Sequence, residues 1–166
     1  GSEMCIETDP AGPIIDRLAK EGNPKAFEFG KPKLEAYNYS FSGVKTSVLY
    51  FVQKELKKNP DFVKENLNDL CASVQKSIIE ILMNKLEKAS VELNIKDVAI
   101  AGGVSANSAL RKAMENNQEK LGWNIFIPKF EYTTDNAAMI AMVAKLKYER
   151  GEFTDIRTTA TAKYDL

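Results

Sequence analysis

Apolar residues fall into two alternating rhythms along this chain. After Gly43, Val44, Val48, Val52 and Leu56 recur every four residues, the spacing of one helix face, as far as the Lys57-Lys58-Asn59-Pro60 break. Residues 61–93 carry the longest helical signal. Leu67, Leu70, Val74, Ile78, Ile81, Leu82, Leu86, Ala89 and Leu93 line one side, and lysines and glutamates line the other. "DVAIAG" from Asp97 and "WNIFIP" from Trp123 are instead short continuous apolar runs, the pattern of buried strands. Between them, residues 105–119 predict a helix that Gly122 terminates. "TTDNAAMIAMVAKLKYERG" predicts a last helix, with Thr134 or Asp135 as its N-cap and Gly151 beyond its end.

The N-terminal third is less regular. Pro13 suits the first position of a short helix that Gly22 and Pro24 would close. Residues 25–37 hold no period and predict a loop. "YNYSFSG" alternates aromatic with small polar residues, as a half-buried strand would. From residue 152 the chain is polar, threonine-rich and partly irregular, and no internal repeat or low-complexity segment is visible. Strands alternating with helices predict an α/β layer fold with a partly parallel sheet. Such sheets gather ligands where strand ends pass into helices, and both "GGVSAN" and "YTTDN" stand at positions of that type.

Composition narrows the chemistry. At 166 residues, 44% hydrophobic and 28% charged, the chain has the makeup of a soluble globular protein. It shows no bilayer-length apolar stretch and no secretory leader. Gly1-Ser2 reads as the remnant of a cleaved tag. Twenty-three basic residues balance 23 acidic ones. There is thus no global basic footprint for nucleic acid, and any RNA contact must come from a local patch or another chain. Histidine is absent, which removes the commonest general base and the commonest metal ligand together. Cys5 and Cys71 show neither metal spacing nor a disulfide framework, consistent with a reducing, cytoplasmic compartment.

The candidate groups each admit two readings. Gly102-Gly103 either supplies positive φ for a tight turn or keeps the backbone bare where a phosphate or nucleoside lies against it. Asn107 contacts a ligand or satisfies the first turn of its helix. Asp135 is a metal ligand or a cap, and one carboxylate without companions fixes no metal geometry. In "YSFSGVKT", Lys45 is a phosphate or RNA contact or a solvated surface charge. In "DPAGPIID", Gly12 is a ligand contact or a turn residue, and Asp16 a ligand contact or a helix-dipole carboxylate. Cys71 on an apolar helix face reads as a small hydrophobe, and Trp123 as a core anchor.

Taken together and in order, "YSFSGVKT", "AIAGGVSANSALR" and "YTTDNAAMIAM" closely resemble the TsaD family. These are the tRNA N6-adenosine threonylcarbamoyltransferases, formerly known as O-sialoglycoprotein endopeptidases or glycoproteases. The resemblance covers residues 10–157, matches only the family's C-terminal half, and leaves the first lobe with its HxxxH metal motif without a counterpart. It implies a ribonuclease H-like lobe of the actin, Hsp70 and sugar-kinase ATPase superfold, with residues 1–9 as a non-matching lead-in and 158–166 as a polar tail. It also implies transfer of threonylcarbamoyl from threonylcarbamoyl-adenylate to N6 of adenosine 37, in tRNAs reading codons that start with A, with release of AMP.

By motif match the resemblance makes Asp135 a ligand of iron or zinc, alongside two histidines of the other lobe. It makes Asn107, Gly12 and Asp16 contacts to the adenylate, and Gly102-Gly103 the nucleotide-facing turn. Pro10-Ala11-Gly12-Pro13 departs from the family's PGGP by one alanine. Lacking one cleft wall, a chain of this span is expected to be inactive by itself. Its implied partners are tRNA and TsaB-like and TsaE-like proteins, with homodimerisation through an exposed former cleft wall, and no membrane. The alternatives are a protein-interaction module, or another ATPase of the same superfold, since fold alone does not fix chemistry. The peptidase reading has no support, because no nucleophile–base pair and no zinc-binding histidines are present.

Overall fold

Helix α4 (Leu67–Leu93) is the longest element, and other helices pack around it. In the computed structural model, which describes residues 11–30 and 36–159, it is flanked by α1 (Ala11–Ala19), α2 (Ser42–Leu56), α3 (Phe62–Glu65) and α5 (Ser108–Leu121). Strands β1 (Asp97–Ala99) and β2 (Asn124–Phe126) form a parallel pair on either side of α5 in sequence, and α6 (Ala137–Glu149) follows. The lead-in 1–9, Cys5 and residues 160–166 of the polar tail lie outside the described residues.

The strands pair Asp97 with Asn124, Val98 with Ile125 and Ala99 with Phe126, and the Asn124 side-chain amide donates to Asp97 Oδ1 at 2.7 Å. Parallel neighbours need a crossover, which α5 supplies. Met83, Val98, Leu110, Met114 and Trp123 form the buried cluster between α4, α5 and the strands. Trp123 anchors the core as its sequence position predicted. Its indole N–H donates to Ser90 Oγ at 2.7 Å, and that hydroxyl donates on to the Ile95 carbonyl. Burying indole without such a partner would leave a costly unsatisfied donor. This is an α/β arrangement with a small parallel sheet.

Four details depart from the sequence reading. "YNYSFSG" is not a strand, and α2 already begins at Ser42. Its aromatic alternation is used against α4 instead. The Tyr37 hydroxyl donates to Glu92 at 2.8 Å, the Tyr39 hydroxyl donates to the Leu82 carbonyl at 3.3 Å, and Tyr39 stacks on Phe41. The long helical signal is interrupted at Asn66 (φ −119°, ψ 19°), which separates α3 from α4. The predicted apolar face holds at Leu70 and Ile81, which are buried, but not at its two ends. Leu67 and Leu93 are 42% and 54% exposed, whereas Ser73 and Ser77 are buried. Ser73 Oγ accepts from the Phe27 N–H and donates to the Asn23 carbonyl, so a hydroxyl pins the 23–27 segment where a hydrocarbon could not. Finally, Asn136 caps α6, its side chain accepting from the Met139 N–H at 3.1 Å, so neither Thr134 nor Asp135 has that role.

The junction of α1 with α4 rests on Gly22. A Cβ there would overlap the Asn68 carbonyl, and the Asn23 N–H donates to Asp69 Oδ1 at 2.7 Å beside it. A second apolar group, Phe27, Phe29, Phe51 and Phe62, meets with ring centroids 5.1–5.9 Å apart between the 25–30 segment, α2 and α3.

Candidate functional site

The carboxyl end of β1 runs through Ile100 and Ala101 into Gly102, which stands at φ 73°, ψ −177°. That region is open almost only to glycine. The Gly102 carbonyl accepts from both the Ser105 N–H and Ser105 Oγ, closing a single turn of 3-10 helix over Gly103–Ala106. Gly103 differs from its neighbour in backbone and not in space, since φ is positive at Gly102 alone of the two. As at Gly102, a Cβ at Gly103 or at Gly12 would meet nothing within 4 Å. Neither is required by packing, and each leaves bare backbone at the wall of a cavity of about 410 Å³.

That cavity is walled by α1, α4 and the turn leading into α5. Pro13, Ile15, Val74, Ile78, Val104 and Leu110 contribute apolar surface; Asp16, Gln75 and Asn107 contribute the polar groups. Gly12, Asp16, Gly103 and Asn107, nominated from separate stretches of sequence, therefore line one space. Gly102 shapes the turn behind it. Asp135 is exposed in the loop before α6 and is not part of the cavity wall.

The polar groups are tied to one another. Asn107 is the N-cap of α5: its Oδ1 accepts from the Leu110 N–H at 2.9 Å, while its Nδ2 donates to Gln75 Oε1 at 2.8 Å. Asp16 reaches across from α1, accepting from Ser108 Oγ at 2.9 Å and from the Ser108 N–H at 3.3 Å. The favourable field at the start of α5 thus acts on a carboxylate of the chain itself. Asn107 satisfies the first turn of its own helix, Asp16 satisfies the Ser108 N–H of a distant one, and both side chains border the cavity.

Arg111 joins the two loops at the strand ends. Its Nε donates to the Ser105 carbonyl at 2.6 Å, and its NH2 group donates to the Pro128 carbonyl at 2.8 Å. Phe130 follows Pro128 and reaches the cavity wall; Thr133, fully buried, donates its hydroxyl to the Phe130 carbonyl. Beyond it, the neighbouring Glu131 carboxylate holds the Tyr132 phenol above its usual range. The loop bearing Asp135 is in this way built off the cavity loop. Gln75, Ser108 and Phe130 were not nominated from sequence. Gln75 alone had a signal, as a polar residue set between Val74 and Ile78 on an apolar face.

For a metal the donor set is too small. Among the described residues no three His, Cys, Asp or Glu side chains gather where an ion could be held, and no histidine exists to join Asp135. No helix of the described residues is long and apolar enough to cross a membrane.

A sequence model of the family described as "TsaD: tRNA N6-adenosine threonylcarbamoyltransferase" matches residues 3–142. Curated relatives bearing the name tRNA N6-adenosine threonylcarbamoyltransferase include one from Riemerella anatipestifer, 76% identical over 157 residues, which is 95% of this chain and 46% of the relative. One from Christiangramia forsetii is 57% identical, over 93% of this chain and 46% of its own. One from Phocaeicola vulgatus is 54% identical, over 93% and 45%. The chain spans a little under half the length of these relatives.

Proposed function

The chain belongs to the TsaD family, the tRNA N6-adenosine threonylcarbamoyltransferases, and on that premise we propose that it is the nucleotide-holding, C-terminal part of such an enzyme. In this reading residues 10–157 are a ribonuclease H-like lobe of the actin, Hsp70 and sugar-kinase superfold, 158–166 a polar tail, and the compartment the cytoplasm. The reaction moves threonylcarbamoyl from its adenylate to N6 of adenosine 37 of tRNA. The amine nitrogen bonds to the acyl carbon, the bond from that carbon to the phosphate oxygen breaks, AMP leaves, and the amine gives up a proton.

One observation carries this reading: Gly12, Asp16, Gly103 and Asn107 border a single cavity although Asp16 and Ser108 are 92 positions apart. The chain's own groups bind and orient. Bare backbone at Gly12 and Gly103 lets a flat nucleoside approach, the α4 wall offers it apolar surface, and Asn107 offers a donor. Asp16 is already bonded to Ser108 and serves as a clamp on the turn rather than as a base. Iron or zinc would act as a Lewis acid in the whole enzyme. Asp135 would be one ligand at most, with the remainder supplied from outside this chain.

The test is binding of AMP to this chain, followed by calorimetry or amide shifts. AMP is expected to bind, and Gly103→Leu, which adds bulk on the cavity side, is expected to weaken it by about tenfold or more at unchanged fold. Equal affinity in the two chains would remove the assignment. Transfer of threonylcarbamoyl to tRNA by this chain alone, supplied with TsaB-like and TsaE-like partners, is expected to be undetectable.

A second reading, a docking module, is favoured by α6. It carries Met139, Ile140, Met142, Val143 and Leu146, all exposed, and buries no residue of its own. A second copy of this chain is its occupant in that reading, and a TsaB-like or TsaE-like protein the competing outcome.

A further inference from the structure

We propose that Gln75 is the positioning residue of the cavity: its Oε1 fixes the orientation of the Asn107 amide, and its own NH2 group presents donors to acceptor atoms of the nucleotide. The inference rests on the reading of the cavity as a nucleotide site, and it begins from the helix cap. The Leu110 N–H is a donor and nothing else, so the Asn107 atom facing it at 2.9 Å is Oδ1. Asn107 must then turn Nδ2 the other way. At 2.8 Å that group meets Gln75, which has to present its own oxygen. The polarity of both amides is therefore dictated by a backbone group at the start of α5.

The consequence falls on what the cavity offers. With Oε1 engaged, Gln75 retains two N–H groups for which the described residues show no partner, and Asn107 retains one. In a space otherwise walled largely by aliphatic side chains, these are donors, not acceptors. Asp16, the carboxylate of the same wall, is held at Ser108 by two hydrogen bonds and does not compete for them. Such a wall selects a ligand edge rich in acceptors, such as the ring nitrogens, ribose oxygens or phosphate of AMP. It also joins α4 to the α5 cap, so a change at Gln75 is felt at Asn107 without any contact to Gly103.

Two variants separate placement from binding. Gln75→Leu removes acceptor and donors; Gln75→Glu keeps an oxygen for Asn107 and removes the donors. In the free chain, the Asn107 side-chain amide resonances are expected to move in Gln75→Leu and to stay near their original positions in Gln75→Glu. With AMP as the probe, Gln75→Leu and Gln75→Glu are both expected to lose about tenfold in affinity, the price of an unmade donor contact. Unmoved Asn107 resonances in Gln75→Leu would overturn the placement. Full AMP affinity in both variants would overturn the donor role. If the unaltered chain fails to bind AMP, the nucleotide reading of the cavity falls, while the Asn107 resonances still decide whether Gln75 sets that amide. Were Gln75→Leu to unfold, Gln75→Ala, which also removes acceptor and donors, carries both measurements.

Discussion

At Gly102 the backbone lies at φ 73°, ψ −177°, a conformation closed to ordinary side chains, whereas Gly103 beside it has no positive φ; space for a Cβ is open at both. The two glycines are thus distinguishable by experiment. Gly102→Ala is expected to destabilise the fold by about 1–3 kcal/mol, read as a lowered denaturant midpoint. Gly103→Ala should leave that midpoint within about 0.5 kcal/mol of the parent. Equal losses at both would mean that the pair is merely a turn. A second residue-scale expectation concerns alkaline pH. Burial raises the Cys71 thiol above its ordinary 9.0 and the Tyr39 phenol above 10.0. A raised value means that the folded chain holds its proton more tightly than the unfolded chain does. The associated stability is whole below the unfolded values and is lost as pH climbs through the folded ones. Tm is expected to fall from pH 9.0 upward, and less steeply in Cys71→Ala; identical slopes would exclude the thiol as a contributor.

Among the elements, α1 depends on a contact its own sequence does not reveal. Gly22 follows the helix, and its missing side chain makes space for the Asn68 carbonyl at the start of α4. Gly22→Ala is expected to cost about 1–3 kcal/mol by overpacking and to loosen Asp16 from Ser108, visible as faster exchange of the Ser108 amide. Retained protection there would show that α1 is held by other contacts. α6 presents the opposite situation, an apolar helix that nothing in the described residues covers. Concentration-dependent dimerisation is expected in sedimentation velocity, and a double change of Ile140→Lys and Val143→Lys is expected to abolish it. A monomer at every concentration would leave the docking reading only a TsaB-like or TsaE-like partner.

For the whole molecule, legibility followed the range of the interaction. The α4 period, the apolar runs at Val98 and Ile125 and the glycine stop at Gly122 were readable because each is set within a few residues. "YNYSFSG" misled for the converse reason. Alternation of aromatics has the same appearance whether a neighbouring strand or, as here, α4 receives them. Of the candidate site, glycines and Asn107 were legible as chemistry, but Gln75 was hidden within a helix and identified only by what stands opposite. The serines at 73 and 77 were hidden likewise, since a hydroxyl on a core face makes sense only once its backbone partner is seen.

What the sequence by itself determined was local conformation, the family to which the chain is assigned, and which residues had unusual chemistry for their place. Periodicity, capping and backbone permissiveness act between near neighbours, and letters record those directly. Only the tertiary structure decided that Asp16 meets Ser108, that Asn107 meets Gln75, and that Asp135 stands clear of the cavity wall. Those outcomes depend on how α1 seats against α4 and on where the β1 turn delivers α5. Both are settled by packing between segments far apart in the chain, at distances over which sequence spacing carries no information.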